Sequence, residues 1–317
     1  MKQTTAYGTW ALIAIGAALL WCGTYWFYRV PPKARPVEGY SFVNAGPVEG
    51  GIVPIDVPAF ESVAAADQYL NDKGEGLDVE VDGEHRFYPY QILVWHEIVN
   101  DSFDNVPVLI SYSPLTDTGM AFRRDPNGEA LTFSVSDFLW NNNSVLTDTQ
   151  TNSHWIQVLG KAVDGERSGT VLAPVMARTM SWSAWKQANP KGEVLSRETG
   201  VSRDYTRNPY GNYASTPAIW YGLTSVDSRL NAKTRVYTVS VGTSRAVYAE
   251  DELMKAGNVR ETVDNVPIEV TFDEDLGTAR AYRLEMNGEP GEELVVTRGF
   301  WFLWSAAYPG VHLYDLP

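Results

Sequence analysis

Cysteine is almost absent: Cys22 stands alone, inside an apolar N-terminal run. A single thiol makes neither an internal disulfide nor a zinc ribbon, and no C-x-x-C-H haem attachment occurs. Histidine is scarce too, with only His85, His96, His154 and His312. Any metal site would therefore have to be built from imidazole and oxygen ligands. Positive charge is in deficit as well. Lys+Arg number 25 against 39 Asp+Glu, a formal net charge of −14, so the basic clusters that nucleic-acid binding requires are missing. So are G-x-G-x-x-G, the P-loop, the G-x-S-x-G elbow and H-E-x-x-H. Neither nucleic acid nor nucleotide is expected as a partner, and no cofactor is expected.

What the sequence does contain is a long internal repeat. Sliding residues 87–129 by 160 positions places them without a gap on residues 247–289, and thirteen of the forty-three pairs are identical. Average composition gives about two or three by chance. The identities include Asp104-Asn105-Val106-Pro107 with Asp264-Asn265-Val266-Pro267, and Asn127-Gly128-Glu129 with Asn287-Gly288-Glu289. Trp182-x-x-Trp185-x-x-x-x-Pro190 recurs as Trp301-x-x-Trp304-x-x-x-x-Pro309 at a shift of 119. The second copy is thus shorter by 160 − 119 = 41 residues, missing roughly 130–171. Self-similarity of this kind fixes the architecture before any motif is read.

Residues 3–28 carry no charge, and 10–27 are almost wholly apolar. About 20 helical residues cover the hydrocarbon core, so this segment is long enough to span a membrane. Trp21, Tyr25, Trp26, Phe27 and Tyr28 ahead of Arg29 form an interfacial aromatic cluster. The rival reading is a signal peptide, but no small-x-small cleavage site stands clearly before Arg29. Thr9, Gly16 and Gly23 recur every seven residues, either by chance or as a small helix face for close packing in the membrane. Lys2 faces Arg29, Lys33 and Arg35 across the span, which mildly opposes export by the positive-inside rule.

Along the rest of the chain the patterns are short. Asp82-Gly83 joins two strand patterns, 77–81 and 85–88, with a counterpart at 236–241 and 245–248. Residues 90–99 have helical apolar spacing, which would set His96 and Asn100 one turn apart. Strands follow at 106–112, from near Met120, and at 131–135, and Ser62 caps a short helix at 62–70. Trp182, Trp185, Trp301 and Trp304 read as core positions. The resulting expectation is an α+β, β-rich domain of two tandem homologous repeats with pseudo-twofold symmetry behind one transmembrane helix. Its parts are a tail at 1–7, anchor 8–28, extended tether 29–60, repeat 61–197, linker loop 198–230 and repeat 231–317.

His96-Glu97-Ile98-Val99-Asn100-Asp101, Tyr112-Ser113-Pro114-Leu115-Thr116, Asp148-x-x-Thr151-x-Ser153-x-Trp155-x-Gln157 and the closing Trp301-Phe302-x-Trp304 resemble the domain-of-unknown-function 3179 family, over about 52–314. The resemblance implies an exported or membrane-anchored protein, hence a large domain on the extracytoplasmic, periplasmic side. It supplies no reaction. Where the family usually carries Tyr-Cys-Pro-Leu, this chain has Ser113, and Phe133-Ser134-Val135-Ser136-Asp137 stands for Phe-Gly-Val-Ser-Gly. A serine is not a soft ligand, nor a strong nucleophile without an activating base.

Two functions follow as expectations. The first is a membrane-anchored, non-catalytic structural or interaction subunit of a larger membrane protein complex, in contact with the lipid bilayer and other membrane subunits. The alternative is an envelope metal-binding protein or enzyme using His96, Glu97, Asp101, Ser113, Asp117 and His154. The second copy replaces His96 with Ala256 and Glu97 with Gly257, so the fold does not need them there. The bland reading of His96 and Asn100 is that they hydrogen-bond a buried backbone.

Overall fold

Hairpin chemistry sets the frame of the molecule. The computed structural model describes residues 34–37, 39–46 and 51–315; the anchor expected at 8–28, with Thr9, Gly16 and Gly23, lies outside the described residues. Strands Glu75–Val81 and Glu84–Pro89 pair antiparallel from Gly76 opposite Pro89 to Val81 opposite Glu84. Asp82 and Gly83 make the turn with φ of 51° and 82°, the left-handed pair that a two-residue hairpin selects. Helix Tyr90–His96 follows, then an antiparallel meander of Ile98–Phe103, Val106–Ser113 and Thr118–Arg123.

The same order of elements recurs at 235–284. Arg235–Val241 pairs with Ser244–Ala249, helix Glu250–Ala256 follows, and Asn258–Val263, Val266–Asp273 and Thr278–Leu284 form the next meander. Phe103 opposes Val106 across the first Asp-Asn turn, and Val263 opposes Val266 across the second.

The fold is β-rich α+β, with sheets of eight, six, four and four strands and, among the described residues, α-helices of only four to seven residues. Among those residues no helix is long and apolar enough to cross a membrane. The eight-stranded sheet joins the first hairpin to its meander through Pro174–Ser181. The six-stranded sheet holds the segment present in the first half alone, Phe133–Trp140, Asn143–Asp148, His154–Ile156 and Lys161–Asp164, with Tyr40–Asn44 added at its side. Trp182, Trp185, Trp301 and Trp304 are all buried in hydrophobic clusters.

Several local expectations change. The helix expected over 90–99 ends at His96, because Glu97 turns left-handed at φ 56° and Ile98 begins a strand. His96 and Asn100 therefore do not share a helix face. The helix capped by Ser62 runs only Val63–Ala66, and the strand expected at 131–135 is Phe133–Trp140. Residues 198–230 have little regular structure, yet Tyr205 and Tyr213 are buried. Asn142 Nδ2 donates to the Tyr221 carbonyl, and Tyr221 N donates back to Asn142 Oδ1, each at 3.0 Å. An amide side chain thus stands in for a strand partner and stitches this loop to the insert.

Gly76 shows how tightly the first hairpin packs. A Cβ there would lie 2.4 Å from Cζ of Phe87, a buried ring held against Trp182 and Trp185. Overpacking of this kind costs about 1–3 kcal/mol. Gly76→Ala is expected to lower the urea midpoint accordingly, with an unchanged m-value as the check that only stability moved.

Candidate functional site

The end of helix Tyr90–His96 builds the most unusual site in the molecule. A helix stops most cheaply on a left-handed residue without a Cβ. Gly257 fills that role after Glu250–Ala256, with φ 70° and its N–H on the Leu253 carbonyl at 2.9 Å. The residue 160 positions earlier is Glu97, whose N–H bonds the Leu93 carbonyl at 2.7 Å in the same way. A glutamate here accepts backbone strain that glycine would avoid.

Its carboxylate is turned inward and only 3% of the residue is exposed. Tyr210 Oη donates to Oε1 at 2.6 Å, and Ser144 Oγ donates to Oε2 at 2.8 Å. The Ser113 and Ser144 hydroxyl oxygens are 3.1 Å apart, and Ser113 Oγ accepts from Ser144 N at 3.1 Å. Burial pushes the Glu97 carboxyl up to about 7, against the opposing pull of the Tyr210 and Ser144 hydrogen bonds.

His96 lies beside this group with no solvent exposure. Its Nδ1 is 2.6 Å from the Val53 carbonyl and its Nε2 is 2.7 Å from Tyr205 Oη. A carbonyl only accepts, so Nδ1 carries the proton and Nε2 accepts from the tyrosine. Burial lowers the imidazole below its ordinary value, which keeps it neutral near pH 7. Both nitrogens are occupied within the fold. Asn100, on the neighbouring strand, donates through Nδ2 to the Phe133 carbonyl at 2.9 Å and accepts from Phe133 N at 2.9 Å.

The remaining sequence candidates have other partners. Asp101 pairs with Arg86 at 3.0 Å and accepts from Tyr88 Oη. His154 sits in the six-stranded sheet, 3.3 Å from Asp164 and against the rings of Phe42 and Phe138. Asp117 belongs to an ion cluster between the two halves of the chain. It receives Arg235 Nε at 3.0 Å, Arg298 Nη2 at 3.2 Å and Tyr112 Oη at 3.2 Å. Arg298 also holds Glu75 through two bonds, Nη1 to Oε1 at 2.6 Å and Nη2 to Oε2 at 2.9 Å.

His96, Glu97 and Ser113 thus share one buried neighbourhood, while Asp101, Asp117 and His154 do not join it. Among the described residues no group of three or more His, Cys, Asp or Glu is placed to hold a metal ion.

A family model described as a protein of unknown function, DUF3179, matches residues 49–311. The chain belongs to the DUF3179 family. No curated protein and no solved structure matches it. The DUF3179 match takes in the buried Glu97 group, the ion cluster and the loop at 198–230 together, and the family name carries no reaction with it.

Sequence reasoning missed Tyr205, Tyr210, Ser144, Glu75, Arg235 and Arg298. One signal was available for two of them. Glu75 and Arg235 stand 160 positions apart, so opposite charges occupy corresponding places.

Proposed function

We propose that this DUF3179 chain is a non-catalytic structural or interaction subunit of a larger membrane protein complex. A single-pass anchor at 8–28 holds it to the cell membrane, with the large domain on the periplasmic side. The observation that carries the reading is that the reactive side chains of the signature are already engaged by partners within the fold. His96 uses both nitrogens, Glu97 both carboxylate oxygens, and Asp117 three donors. A buried polar network satisfied in this way makes a core rigid and unique. None of these three side chains is left without a partner.

We read the fold as two fused copies, 61–197 and 231–317, about a pseudo-twofold axis. What supports this is the common order and register of the two meanders and the left-handed helix ends at Glu97 and Gly257. Cross-half charge pairing in place of like pairs favours joining two copies into one body. The segment before the domain, with its aromatic cluster and uncharged run, favours the bilayer and other membrane subunits as partners.

The second reading, an envelope metal-binding protein or enzyme around His96, draws on one observation. A carboxyl at about 7 beside two hydroxyls lies in the range a general base needs. Against it, Ser113, Ser144 and Glu97 are all buried, and Tyr210 closes the carboxylate from the loop side.

His96→Ala separates the two readings. Loss of two buried hydrogen bonds and creation of a cavity should cost about 2–4 kcal/mol in urea unfolding, with no metal in either protein by elemental analysis. A stoichiometric metal that disappears in the variant, with stability unchanged, would sink the structural reading.

A further inference from the structure

A cleft of about 410 Å³ opens between helix Tyr90–His96, loop 205–208 and the start of strand Arg235–Val241. That volume is in the range of small-molecule sites, which combine apolar walls with a few placed polar groups. Its walls are aromatic, from Tyr69, Tyr90, Tyr112 and Trp182, and Tyr90 and Tyr112 stack at 4.0 Å with 16° between their planes. Its charged lining is Glu75, Asp117, Arg207 and Arg235.

The balance of donors and acceptors in this lining is uneven. Both Glu75 oxygens accept from Arg298, and Asp117 accepts from Tyr112, Arg235 and Arg298. The acceptors are therefore occupied. A guanidinium has five N–H groups, and Arg235 commits only Nε and Nη2. Among the described residues, Nη1 of Arg235 and the whole Arg207 head group have no hydrogen-bond partner. Asp204 is close enough to Arg207 to feel its charge, but its carboxylate is bonded to Thr206 in its own loop. What the charged lining lacks is a free acceptor.

We propose that this cleft binds a small organic anion, a carboxylate carried on a flat apolar ring. The carboxylate bridges Arg207 and Arg235, since guanidinium forks match carboxylate geometry. The ring lies along the tyrosine and tryptophan walls. This site is independent of the anchor and of complex formation.

The test is calorimetric titration of the full chain in detergent with 3-phenylpropionate, beside its neutral isostere 3-phenylpropanamide. The acid should bind saturably and the amide at least about tenfold more weakly, the effect of one charge-assisted bond. Arg207→Gln, on an exposed side chain away from the ion cluster, should weaken the acid by a similar factor and leave the amide and the thermal midpoint unchanged. Equal binding of acid and amide, no saturable binding of the acid, or unchanged acid affinity in Arg207→Gln would overturn the proposal.

Discussion

Arg298→Ala should destabilise the protein by about 3–5 kcal/mol, the cost of breaking a buried ion pair from one side. Its side chain is 5% exposed and holds Glu75 through two bonds and Asp117 through a third. Removing it leaves Asp117, itself 5% exposed, with Arg235 as its one cationic partner among the described residues. The cluster also joins the two halves, because Glu75 and Asp117 come from one and Arg235 and Arg298 from the other. Beside it, Phe300 N donates to the Thr116 carbonyl at 2.9 Å. Chemical unfolding should therefore show a lower midpoint and a single transition if the halves unfold together. Arg298→Ala within about 1 kcal/mol of wild type would mean that water already screens the cluster. Replacing Glu75, Asp117 and Arg298 together by apolar residues of similar size should cost less than Arg298→Ala alone, since Arg235, which then loses its carboxylate partners, has a side chain 39% exposed.

Glu97 should give the protein an unusual dependence on pH. Its carboxyl titrates near the ordinary 4.5 in the unfolded chain and at about 7 in the fold. Between those values the folded state holds a proton that the unfolded state has released, so stability falls as pH rises. The contribution is fully present below pH 4.5 and is lost by the time the pH has risen through 7. The gap corresponds to about 3 kcal/mol. Glu97→Gln keeps a neutral group of the same shape and removes the titration. Wild type minus Glu97→Gln, measured by urea unfolding at pH 4.5, 6 and 8, should therefore decline by about that amount across the range. A flat difference would show that the carboxylate is charged in the fold throughout, held by Tyr210 and Ser144 more strongly than burial opposes it.

Much of the framework was legible because it rests on local rules. Asp82-Gly83 specified its hairpin through two left-handed residues, and the Trp-x-x-Trp pairs faced the core as helical spacing requires. The end of the first helix was harder to read. A glutamate in the left-handed conformation gives no local stop signal, so the apolar spacing ran on through Val99, and Asn100 was set on the wrong element. The partners of the site were harder still. Tyr205 and Tyr210 lie in a stretch whose Tyr, Asn and Pro content reads as surface loop, and only tertiary contacts more than one hundred residues away bring them onto His96 and Glu97. Ser144 reached Glu97 from the insert across 47 positions. The one distant signal the sequence did carry was the repeat itself, since Glu75 and Arg235 occupy corresponding positions with opposite charge.

The role proposed for this DUF3179 chain is tested most directly by the mass of the native particle. Membranes solubilised in mild detergent should release the chain in a discrete assembly well above its own 35.2 kDa, with other membrane subunits at fixed stoichiometry by mass spectrometry. A monodisperse single chain in even the mildest detergent, with no co-purifying subunit, would contradict the account.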